Sequence, residues 1–334
     1  MQSQPPGTVY VGIVTYNSRN DLPGLLDSLA AQTYPQLTVA LLDNASTDGT
    51  PPWIREYAPQ YHRILQINNV GFGRGHNRIY QFWREAMTSY DFYMTLNPDV
   101  QLTPTYIEAV VDEIQSMGAG WGMGKLLQPN GEKIYSVGHA LKSDGYAFNI
   151  GYDLPDDSRF STPREVFGAS GAAAIYRQTM LEALTPDGNI FDPVMFMYNE
   201  DVDLDWRAQL GGWKCRYTPD AVAIHRGSQP SAWLRAEALA NRYLSVMKNT
   251  SERDYVLRHL PRIYAHVAAR LLLTPREGAY LLGKLSQYGA KERERRTVPR
   301  VPRSRMREWY RWADRQPTGQ PTSLMDRVRV FSRG

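Results

Sequence analysis

Two clusters of acidic residues in this sequence have the residue types and spacing to take part in chemistry. The first is Asn97-Pro98-Asp99, where a carboxylate at the end of a buried strand could hold Mg²⁺ or Mn²⁺ beside waters and phosphate oxygens. The same residue types are common in turns, so this run taken alone fits a plain strand-to-loop turn better. His225 ends another apolar run, and a single histidine at such a place is most simply structural.

The second cluster is an acidic segment that begins at Glu200 and has the pattern of a helix. In a helix, Asp201 and Asp205 would share one face. Asp201 would lie near the positive end of the helix dipole and remain ionised, which suits a group that accepts a proton. The alternative is structural, because acidic residues favour a first helical turn and Asp203 and Arg207 have the spacing of a surface ion pair.

Two glycine-containing segments could bring substrate close to the backbone. The loop 71–75 precedes a predicted helix, where free N–H groups could bind phosphate, but it lacks the spacing of a dinucleotide fingerprint and the ending of a P-loop. The small residues at 168–171 could admit an acceptor substrate, and a strand packed tightly under a helix explains them equally well. Gly168 and Ser170, with Glu200, are the predicted acceptor contacts.

The elements that must position these residues alternate along the first hundred residues. Runs with strand character lie at 9–16, 37–42, 63–67 and 91–96, with helical spacing between them. This alternation predicts an α/β fold with a mostly parallel, doubly wound sheet. Ligands bind beyond the carboxyl ends of the strands in such sheets, and Asn17, Asp43, the loop 71–75 and Asp99 all follow predicted strand ends.

The later part of the chain is predicted to complete this domain and to add an extension. Its predicted helices are 200–210, 233–248 and 255–273, and residues 213–224 have the pattern of a strand, a turn and a second strand. Beyond Lys291 the density of charge and proline indicates loosely ordered structure with one amphipathic helix. We therefore predict an α/β domain over residues 1–250 and a helical, basic extension over 251–334.

Composition limits the possible classes of protein. The chain has 334 residues, of which 42% are hydrophobic and 22% charged, as expected of a globular protein with a large core. Cys215 is the only cysteine, which excludes an intramolecular disulfide and a thiolate metal cluster. Residues 284–312 carry ten Lys and Arg against three Glu, although the whole chain has a net charge of only +4. With Trp309, Tyr310 and Trp312, this basic segment predicts peripheral contact with an anionic membrane, while a solvated surface explains the charge equally well.

Targeting features predict a cytoplasmic protein, at the inner face of the cell membrane if the basic segment binds lipid. The first ten residues lack the basic start and apolar run of a secretory signal. The most apolar window, 263–282, contains charged residues and Pro275, so it is not expected to span a bilayer. No recognised nucleic-acid-binding module is present, so nucleic acid is not an expected partner.

Six segments, taken in order, resemble family 2 glycosyltransferases, and four of them are similar to the rhamnosyltransferase-like branch. The segments are 11–17, 42–50, 69–77, 96–100, 196–204 and 219–225. The resemblance covers about residues 8–250 and implies a GT-A fold with flanking helices. It also implies an inverting hexosyltransferase of cell-envelope polysaccharide synthesis. The donor would be a nucleotide diphosphate sugar such as dTDP-rhamnose, and the acceptor a saccharide or lipid-linked saccharide.

The resemblance further implies roles for individual residues. The expected donor contacts are Thr15, Tyr16, Asn17, Asp43, Asn44, Gly71, Gly73, Asn77 and Asn97. Asp99 matches the last acid of the family's Asp-x-Asp metal motif, and His225 matches a residue beside the metal and diphosphate, so both are expected to bind Mg²⁺ or Mn²⁺. Asp201 matches the catalytic base. Asn97 replaces the first acid of the metal motif, which leaves one carboxylate fewer for the cation.

Two alternatives belong to other functional classes. A nucleotidyltransferase would be expected to carry a glycine-rich loop and a basic residue directly after the first strand, where residues 17–21 offer little glycine. A catalytically weak protein that only binds nucleotide sugar or glycan would be expected to lack Asp99 or Asp201, and both are present.

Overall fold

The computed structural model describes residues 7–86, 90–227, 230–295, 297 and 299–320. Three expectations fall partly outside this range: the absence of a signal at residues 1–6, the end, near Met87, of the helix predicted after the loop 71–75, and residues 296, 298 and 321–334 of the extension. Among the described residues, no helix is both long enough and apolar enough to cross a bilayer.

The amino-terminal half alternates strands and helices as its periodicity predicts. Its elements are β1 Val9–Thr15, α1 Leu22–Ala30, β2 Leu37–Asp43, α2 Thr50–Tyr57, β3 His62–Leu65, α3 Phe72–Ala86, β4 Phe92–Leu96, β5 Val100–Leu102, α4 Tyr106–Ser116 and β6 Trp121–Leu127. All seven residues of β1 are buried, because helices cover both faces of the sheet at its centre. Helix α3 approaches β1 closely at Gly75, where a β-carbon would lie 2.8 Å from a methyl group of Val14.

The middle of the chain adds shorter strands before the last long strand. Its elements are β7 Ile134–Ser136, β8 His139–Leu141, β9 Ala147–Asn149, β10 Arg164–Val166, β11 Ala173–Arg177, α5 Gln178–Leu184, α6 Glu200–Leu210 and β12 Cys215–His225. The expected strand, turn and strand over 213–224 is instead one strand, β12, with an irregularity between Thr218 and Val222. This irregularity has the turn-like residues Pro219 and Asp220, and the chain continues in the same direction beyond it.

The main sheet has the order β10-β12-β6-β11-β4-β1-β2-β3, with β5 paired to β12 and β7 paired to β6. Strands β4, β1, β2 and β3 are mutually parallel, and β12 is parallel to β6. Strand β11 runs antiparallel between β4 and β6, and β10 pairs antiparallel with β12. The mostly parallel α/β sheet is therefore confirmed, and its central antiparallel strand makes it mixed.

The carboxy-terminal part is helical and packs on the sheet domain. Its elements are α7 Ala232–Asn249, the single turn α8 Glu252–Asp254, a π-helical turn Tyr255–His259, α9 Leu260–Leu273, α10 Pro275–Glu294 and α11 Arg303–Ala313. One hydrophobic core joins both parts, since Trp206 and Leu244 share it with Leu281 and Trp309.

Buried charge also links the extension to the rest of the chain. On α7, the carboxylate of Glu237 is fully buried. It forms an ion pair with Lys284 of α10, whose Nζ lies 2.5 Å from Glu237 Oε1. At the other end of α7, Lys248 Nζ lies 2.6 Å from Asp192 and 2.7 Å from Asp203. Asp203 belongs to α6, so these ion pairs tie α6 to α7 and α7 to α10.

For the described residues between 291 and 320, the structure corrects the expectation of loose order. Helix α10 continues to Glu294, and α11 packs firmly against the protein. Trp309 is only 6% exposed, and its Nε1 donates to Gln209 Oε1 at 2.8 Å. Trp309 is therefore a core residue of this protein and is not an exposed membrane anchor.

Candidate active site

Residues from remote parts of the sequence line one cleft of about 1950 Å³. The cleft lies beyond the carboxyl ends of β1 and β4, beside the end of β12 and the start of α6. Asn17, Asp99, Asp201 and His225 all contribute to its walls. This convergence follows from the parallel strands, which end at the same edge of the sheet.

Asp99 and His225 form a pair on one wall of the cleft. Strand β5 pairs antiparallel with the end of β12, which brings the two residues together, and His225 Nε2 lies 3.3 Å from Asp99 Oδ1. Burial acts to raise the pKa of Asp99, but the hydrogen bond and charge of His225 outweigh it and leave that pKa below its usual value. The Tyr135 ring packs against the imidazole with ring centroids 4.2 Å apart and fixes its orientation.

The Asp99–His225 pair fits a divalent cation. His225 Nδ1 is buried and has no hydrogen-bond partner among the described residues, so the imidazole is not committed to a purely structural role. One carboxylate with one imidazole leaves most coordination positions to water and diphosphate oxygens, and the mixed ligand set suits Mn²⁺ better than Mg²⁺. The described residues contain no group of three or more His, Cys, Asp or Glu side chains that could hold a metal by themselves.

Asp201 is held at the start of α6 by an unusual turn. Tyr198 and Asn199 both adopt left-handed backbone conformations, with φ of 69° and 67°. Asp201 Oδ2 accepts a hydrogen bond from the Gly171 backbone N–H at 3.0 Å, and the carboxylate is partly exposed to the cleft. The carboxylate is thus oriented and accessible from the cleft, as a general base must be.

The start of α6 differs in two ways from what its residue types suggest. Asn is a common helix-capping residue and Asn199 precedes α6, but within the described chain its side chain does not cap the helix, because Nδ2 donates to the Ala238 carbonyl at 2.9 Å. Asp203 and Arg207 do form the expected ion pair, at 2.9 Å, but the carboxylate of Asp203 is buried rather than on the surface. The charge of Lys248 keeps the buried carboxylate paired.

His139 lies behind Asp201 and belongs to none of the motifs that the sequence analysis identified. Its Nδ1 lies 2.8 Å from Asp205 Oδ2, and its Nε2 lies 3.8 Å from Asp201 Oδ2. Asp205 is fully buried and also accepts from Trp121 Nε1 at 2.8 Å. The only available signal was the i, i+4 spacing of Asp201 and Asp205, which places both carboxylates on one side of α6.

Electrostatics favour a charged imidazole between these two carboxylates. Burial acts to lower the pKa of His139, but Asp201 and Asp205 outweigh burial and raise it. Burial raises the pKa of Asp205 to about 6, although its hydrogen bond to His139 acts in the opposite direction. Near neutral pH, His139 therefore places a positive charge beside the exposed carboxylate of Asp201.

The predicted acceptor contacts take different positions. Ser170 and Glu200 both line the cleft. Burial, and then repulsion from Asp201, raise the pKa of Glu200 well above its usual value and so favour the protonated form of this side chain. Gly168 is not among the described residues that line the cleft. A β-carbon at Gly168 would overlap the Asp205 carboxylate, so tight packing under α6 explains this glycine.

The predicted donor contacts also divide into two sets. Tyr16, Asn17 and Asn97 line the cleft, and Tyr16 is half exposed. Asn17 has a left-handed backbone with φ of 52°, and its Oδ1 accepts from the Thr47 N–H at 2.8 Å. The remaining predicted donor residues lie behind this wall and are not among the described lining residues: Thr15, Asp43, Asn44, Gly71, Gly73 and Asn77.

These six residues connect the loops behind the cleft. Asp43 Oδ1 accepts from the Thr15 hydroxyl at 3.3 Å, and Asn44 Oδ1 accepts from the Val70 N–H at 2.8 Å. Asn77 exchanges two hydrogen bonds with the backbone of Phe191, at 2.8 and 2.9 Å. Their contacts within the protein position the loops that carry the lining residues.

Two N–H groups of the predicted phosphate loop 71–75 are hydrogen-bonded within the protein. The Gly71 N–H donates to Asn69 Oδ1 at 2.9 Å, and the Phe72 N–H donates to the Phe196 carbonyl at 2.9 Å. Both groups are thus committed to protein acceptors. Gly71 has φ of 83° and packs against the Phe196 carbonyl, and this close approach is the physical reason for a glycine there.

Comparison with known proteins identifies the family. Residues 10–185 match the model of Glycosyl transferase family 2. The chain is 29% identical over 246 residues to the N-acetylglucosaminyl-diphospho-decaprenol L-rhamnosyltransferase of Mycobacterium tuberculosis (strain CDC 1551 / Oshkosh), an alignment that covers 67% of this chain and 79% of the relative. It is 24% identical over 230 residues to Rhamnosyltransferase WbbL of Escherichia coli (strain K12), covering 65% of this chain and 83% of that protein.

Solved structures show the same fold. The mannosyltransferase PcManGT from Pyrobaculum calidifontis, in complex with GDP-Man and Mn²⁺, superposes with a TM-score of 0.53 at 15% identity, covering 98% of this chain and 84% of that one. GalNAc-T7 with UDP, GalNAc and Mn²⁺ superposes with a TM-score of 0.54 at 13% identity, covering 72% of this chain and 48% of that one. This chain thus spans about half the length of GalNAc-T7. With its mixed α/β sheet of GT-A type and its match to the family model, the chain belongs to glycosyl transferase family 2 and is an inverting, rhamnosyltransferase-like hexosyltransferase.

Proposed function

We propose that this enzyme transfers a hexose, rhamnose from dTDP-rhamnose, to a hydroxyl group of a glycan or lipid-linked saccharide. The observation that carries the proposal is the common cleft of Asp201 and the Asp99–His225 pair. One wall thus offers a carboxylate that can accept a proton, and another offers ligands for a cation beside a diphosphate. The names of the rhamnosyltransferase relatives support the choice of sugar, and the name of the mycobacterial relative supports a lipid-linked acceptor.

Asp201 is the proposed general base. It takes the proton of the acceptor hydroxyl while that oxygen attacks the anomeric carbon from the face opposite the nucleotide diphosphate. The new bond joins the acceptor oxygen to the anomeric carbon, and the bond from that carbon to the diphosphate oxygen breaks. A single displacement inverts the configuration at the anomeric carbon, by the stereochemical logic also used for glycoside hydrolysis.

Asp99 and His225 are the proposed residues that hold Mg²⁺ or Mn²⁺, and their ligand set favours Mn²⁺. A bound divalent cation would supply neutralisation of the charge that develops on the leaving diphosphate. Both structural neighbours contain Mn²⁺, which supports divalent metal use in this fold. Asp99 is ionised in the structure and needs to lose no proton before binding a cation.

The other lining residues are proposed to orient the two substrates. Tyr16, Asn17 and Asn97 contact the donor, while Thr15, Asp43, Asn44, Gly71, Gly73 and Asn77 act through the loops that they hold in place. On the acceptor side, Ser170 offers a hydroxyl group. Glu200 offers a neutral carboxyl that can donate a hydrogen bond without repelling the charge of Asp201. Gly168 serves this site by allowing Asp205 to pack beneath it.

The proposed place of action is the cytoplasmic face of the cell membrane, in the synthesis of an envelope polysaccharide. A lipid-linked acceptor would be embedded in that membrane and would require an enzyme that works at its surface. Residues 284–312 remain basic, but the burial of Trp309 removes one of the aromatic anchors on which the expectation of membrane contact depended.

The decisive variant is Asp201→Asn, which preserves the shape of the side chain and removes its ability to accept a proton. Transfer should be abolished, while donor affinity, measured by calorimetry with dTDP-rhamnose and Mn²⁺, stays within about twofold. Asp187→Asn, at an exposed acidic residue that does not line the cleft, is the matched control and should retain full activity. Turnover by the Asp201 variant within about tenfold of wild type would show that another group is the base.

A screen of donors tests the sugar independently of the base. Ligands that bind only the folded protein raise its melting temperature, so dTDP-rhamnose should stabilise the protein more than UDP- or GDP-sugars, and more strongly with Mn²⁺ than without it. If only a UDP- or GDP-sugar stabilised the protein, that sugar would replace dTDP-rhamnose as the proposed donor. The proposed role of Asp201 would not be affected.

A further inference from the structure

Helix α9 and the turns at its two ends present large apolar side chains to solvent. Leu257 and Tyr264 are each 66% exposed, Leu272 is 83% exposed and Leu273 is 78% exposed. Such residues usually occur singly on the surfaces of soluble proteins, and a contiguous group of them marks a site of interaction. We call the group the α9 surface, and it comprises Leu257, Pro261, Tyr264, Ala268, Leu271, Leu272 and Leu273.

The spacing of these residues shows that α9 is apolar on two faces. Leu257, Pro261, Tyr264, Ala268 and Leu272 recur every three or four residues and form a stripe on the outward side. The opposite side holds the helix to the protein, since Ile263 and Val267 are buried in the core. A surface helix ordinarily has a polar outward face, so packing among the residues that the structure describes does not account for the α9 surface.

The charged side chains within the segment that forms the α9 surface are basic, and acidic residues lie just outside its two ends. Residues 255–276 contain four arginines and no aspartate or glutamate. Arg258, Arg262 and Arg276 are exposed, whereas Arg270 is paired with Glu277 at 2.6 Å. Arg258 lies 3.8 Å from Asp254, which is a weak, solvated pair. An apolar stripe flanked by arginines has the chemistry that binds a bilayer containing anionic lipids.

The basic segment 284–312 differs from the α9 surface because much of its charge is already paired within the protein. Lys284 is buried against Glu237, Arg293 lies 2.7 Å from Glu252, and Arg305 contacts Glu165. Paired cations lose part of their attraction for an external anionic surface. The α9 surface is therefore a better candidate for membrane contact than residues 284–312, which were indicated by sequence charge alone.

The same helix also forms part of the active-site cleft. Arg262, His266, Ala269 and Leu273 on α9 line the cleft that contains Asp99 and Asp201. An acceptor anchored in a bilayer at the α9 surface would thus need to extend its saccharide only along this helix to reach the reacting groups. The cleft and the apolar stripe are continuous at Leu273, which belongs to both.

We propose that the α9 surface docks on an anionic bilayer and so presents the cleft to a lipid-linked acceptor. The part that concerns the acceptor rests on the proposed function, whereas the docking itself does not. The proposal commits to a lipid surface because the arginines complement anionic headgroups and the exposed side chains are aliphatic.

Binding to vesicles tests the docking directly. The full chain should cosediment with vesicles of phosphatidylcholine and phosphatidylglycerol, bind much less to pure phosphatidylcholine, and dissociate as salt is raised. Leu257→Ser combined with Leu272→Ser should weaken binding about tenfold or more, because neither side chain then inserts into the bilayer. Leu65→Ser combined with Ile67→Ser, at two exposed aliphatic residues outside this surface, should bind as the wild type does.

Further measurements separate the possible results. Arg258→Gln combined with Arg276→Gln should remove the preference for anionic vesicles, and unchanged melting temperatures would show that each variant is folded. The proposal is overturned if the wild type fails to bind anionic vesicles, or if the double-leucine variant binds them normally. It is likewise overturned if the wild type is a dimer that this variant converts to a monomer, since the surface would then be a protein interface.

Activity separates this proposal from the proposed function. The double-leucine variant should keep wild-type transfer to a short water-soluble saccharide and lose transfer to the same saccharide on a lipid in vesicles. If no rhamnosyl transfer occurs with either acceptor while the vesicle results hold, the proposed function fails and the docking surface stands.

Discussion

Replacing His139 by glutamine should move the acidic limb of the pH profile of kcat/KM to higher pH. In the wild type, a protonated His139 holds its Nε2 at 3.8 Å from Asp201 Oδ2 and so favours the ionised form of that carboxylate. Glutamine retains a hydrogen-bonding group of similar reach but carries no charge. The base would then become protonated at a higher pH, and activity would be lost earlier as the solution is acidified.

The size of this effect can be bounded from the geometry. At 3.8 Å and an effective dielectric constant of about 20, a full pair of charges interacts by about 4 kcal/mol. Two factors reduce this value: the Asp201 side chain is 19% exposed to screening solvent, and Asp205 would take up a proton once the imidazolium is gone. We expect about 1–2 kcal/mol to remain, which corresponds to a displacement of roughly one pH unit.

The assay is the pH dependence of kcat/KM for transfer to a soluble acceptor, with donor KM and melting temperature measured for each variant. Donor KM should change little, because His139 lies behind the base rather than beside the diphosphate ligands. His62→Gln, at an exposed histidine of β3, is the matched control and should leave the acidic limb in place. A folded His139→Gln enzyme whose acidic limb coincides with that of wild type would refute the electrostatic role of His139.

Four other expectations follow from the site and its supports. His225→Ala should weaken activation by Mn²⁺ by roughly tenfold or more in a metal titration, and unchanged Mn²⁺ dependence would remove this residue from the metal site. Glu200 has a raised pKa in the folded state, so the folded protein keeps a proton that the unfolded chain loses above about pH 4.3, and stability falls as pH rises above that value. Glu200→Gln should remove this dependence, so the melting temperature of the variant relative to that of the wild type should rise as pH increases above about 4.3, and a constant difference would contradict the assignment. Gly168→Ala should destabilise the protein by about 1–3 kcal/mol in urea unfolding, because the new methyl group meets the Asp205 carboxylate, and a neutral effect would show that the site has room. Lys248→Met should cost about 3–5 kcal/mol in the same measurement by leaving two buried carboxylates without their shared cation, and a loss below about 1 kcal/mol would show that water reaches them.

The sequence was informative where local pattern determines structure. Apolar runs with turns after them located β1, β2, β3 and β4, and parallel topology then implied that Asp99 and Asn17 would meet at one edge of the sheet. The acidic segment at Asp201 had helical spacing and became α6 with the predicted bounds. These features depend on residues close in the chain, which periodicity can detect.

The sequence was less informative where distant segments meet. His139 and Asp205 are 66 residues apart, and their contact depends on how β8 packs on α6. The N–H of Phe72, in the predicted phosphate loop, donates to the carbonyl of Phe196, so a remote segment takes up one of the groups expected to bind phosphate. The sequence shows that residues 284–312 are basic. It does not show that Lys284 is paired with Glu237 or that Trp309 is buried, because both depend on how this segment packs in the fold.

The buried pair of Glu237 and Lys284 has a consequence for any attempt to shorten or recombine this enzyme. Glu237 also accepts from the Phe196 N–H at 2.9 Å, in the segment that leads into the turn before Asp201. A chain that ended near residue 250 would lose Lys284 and leave a carboxylate without a cation directly behind that segment. Chimeras made with related transferases should therefore inherit α7 and α10 from the same parent, because the first supplies the acid and the second its counterion.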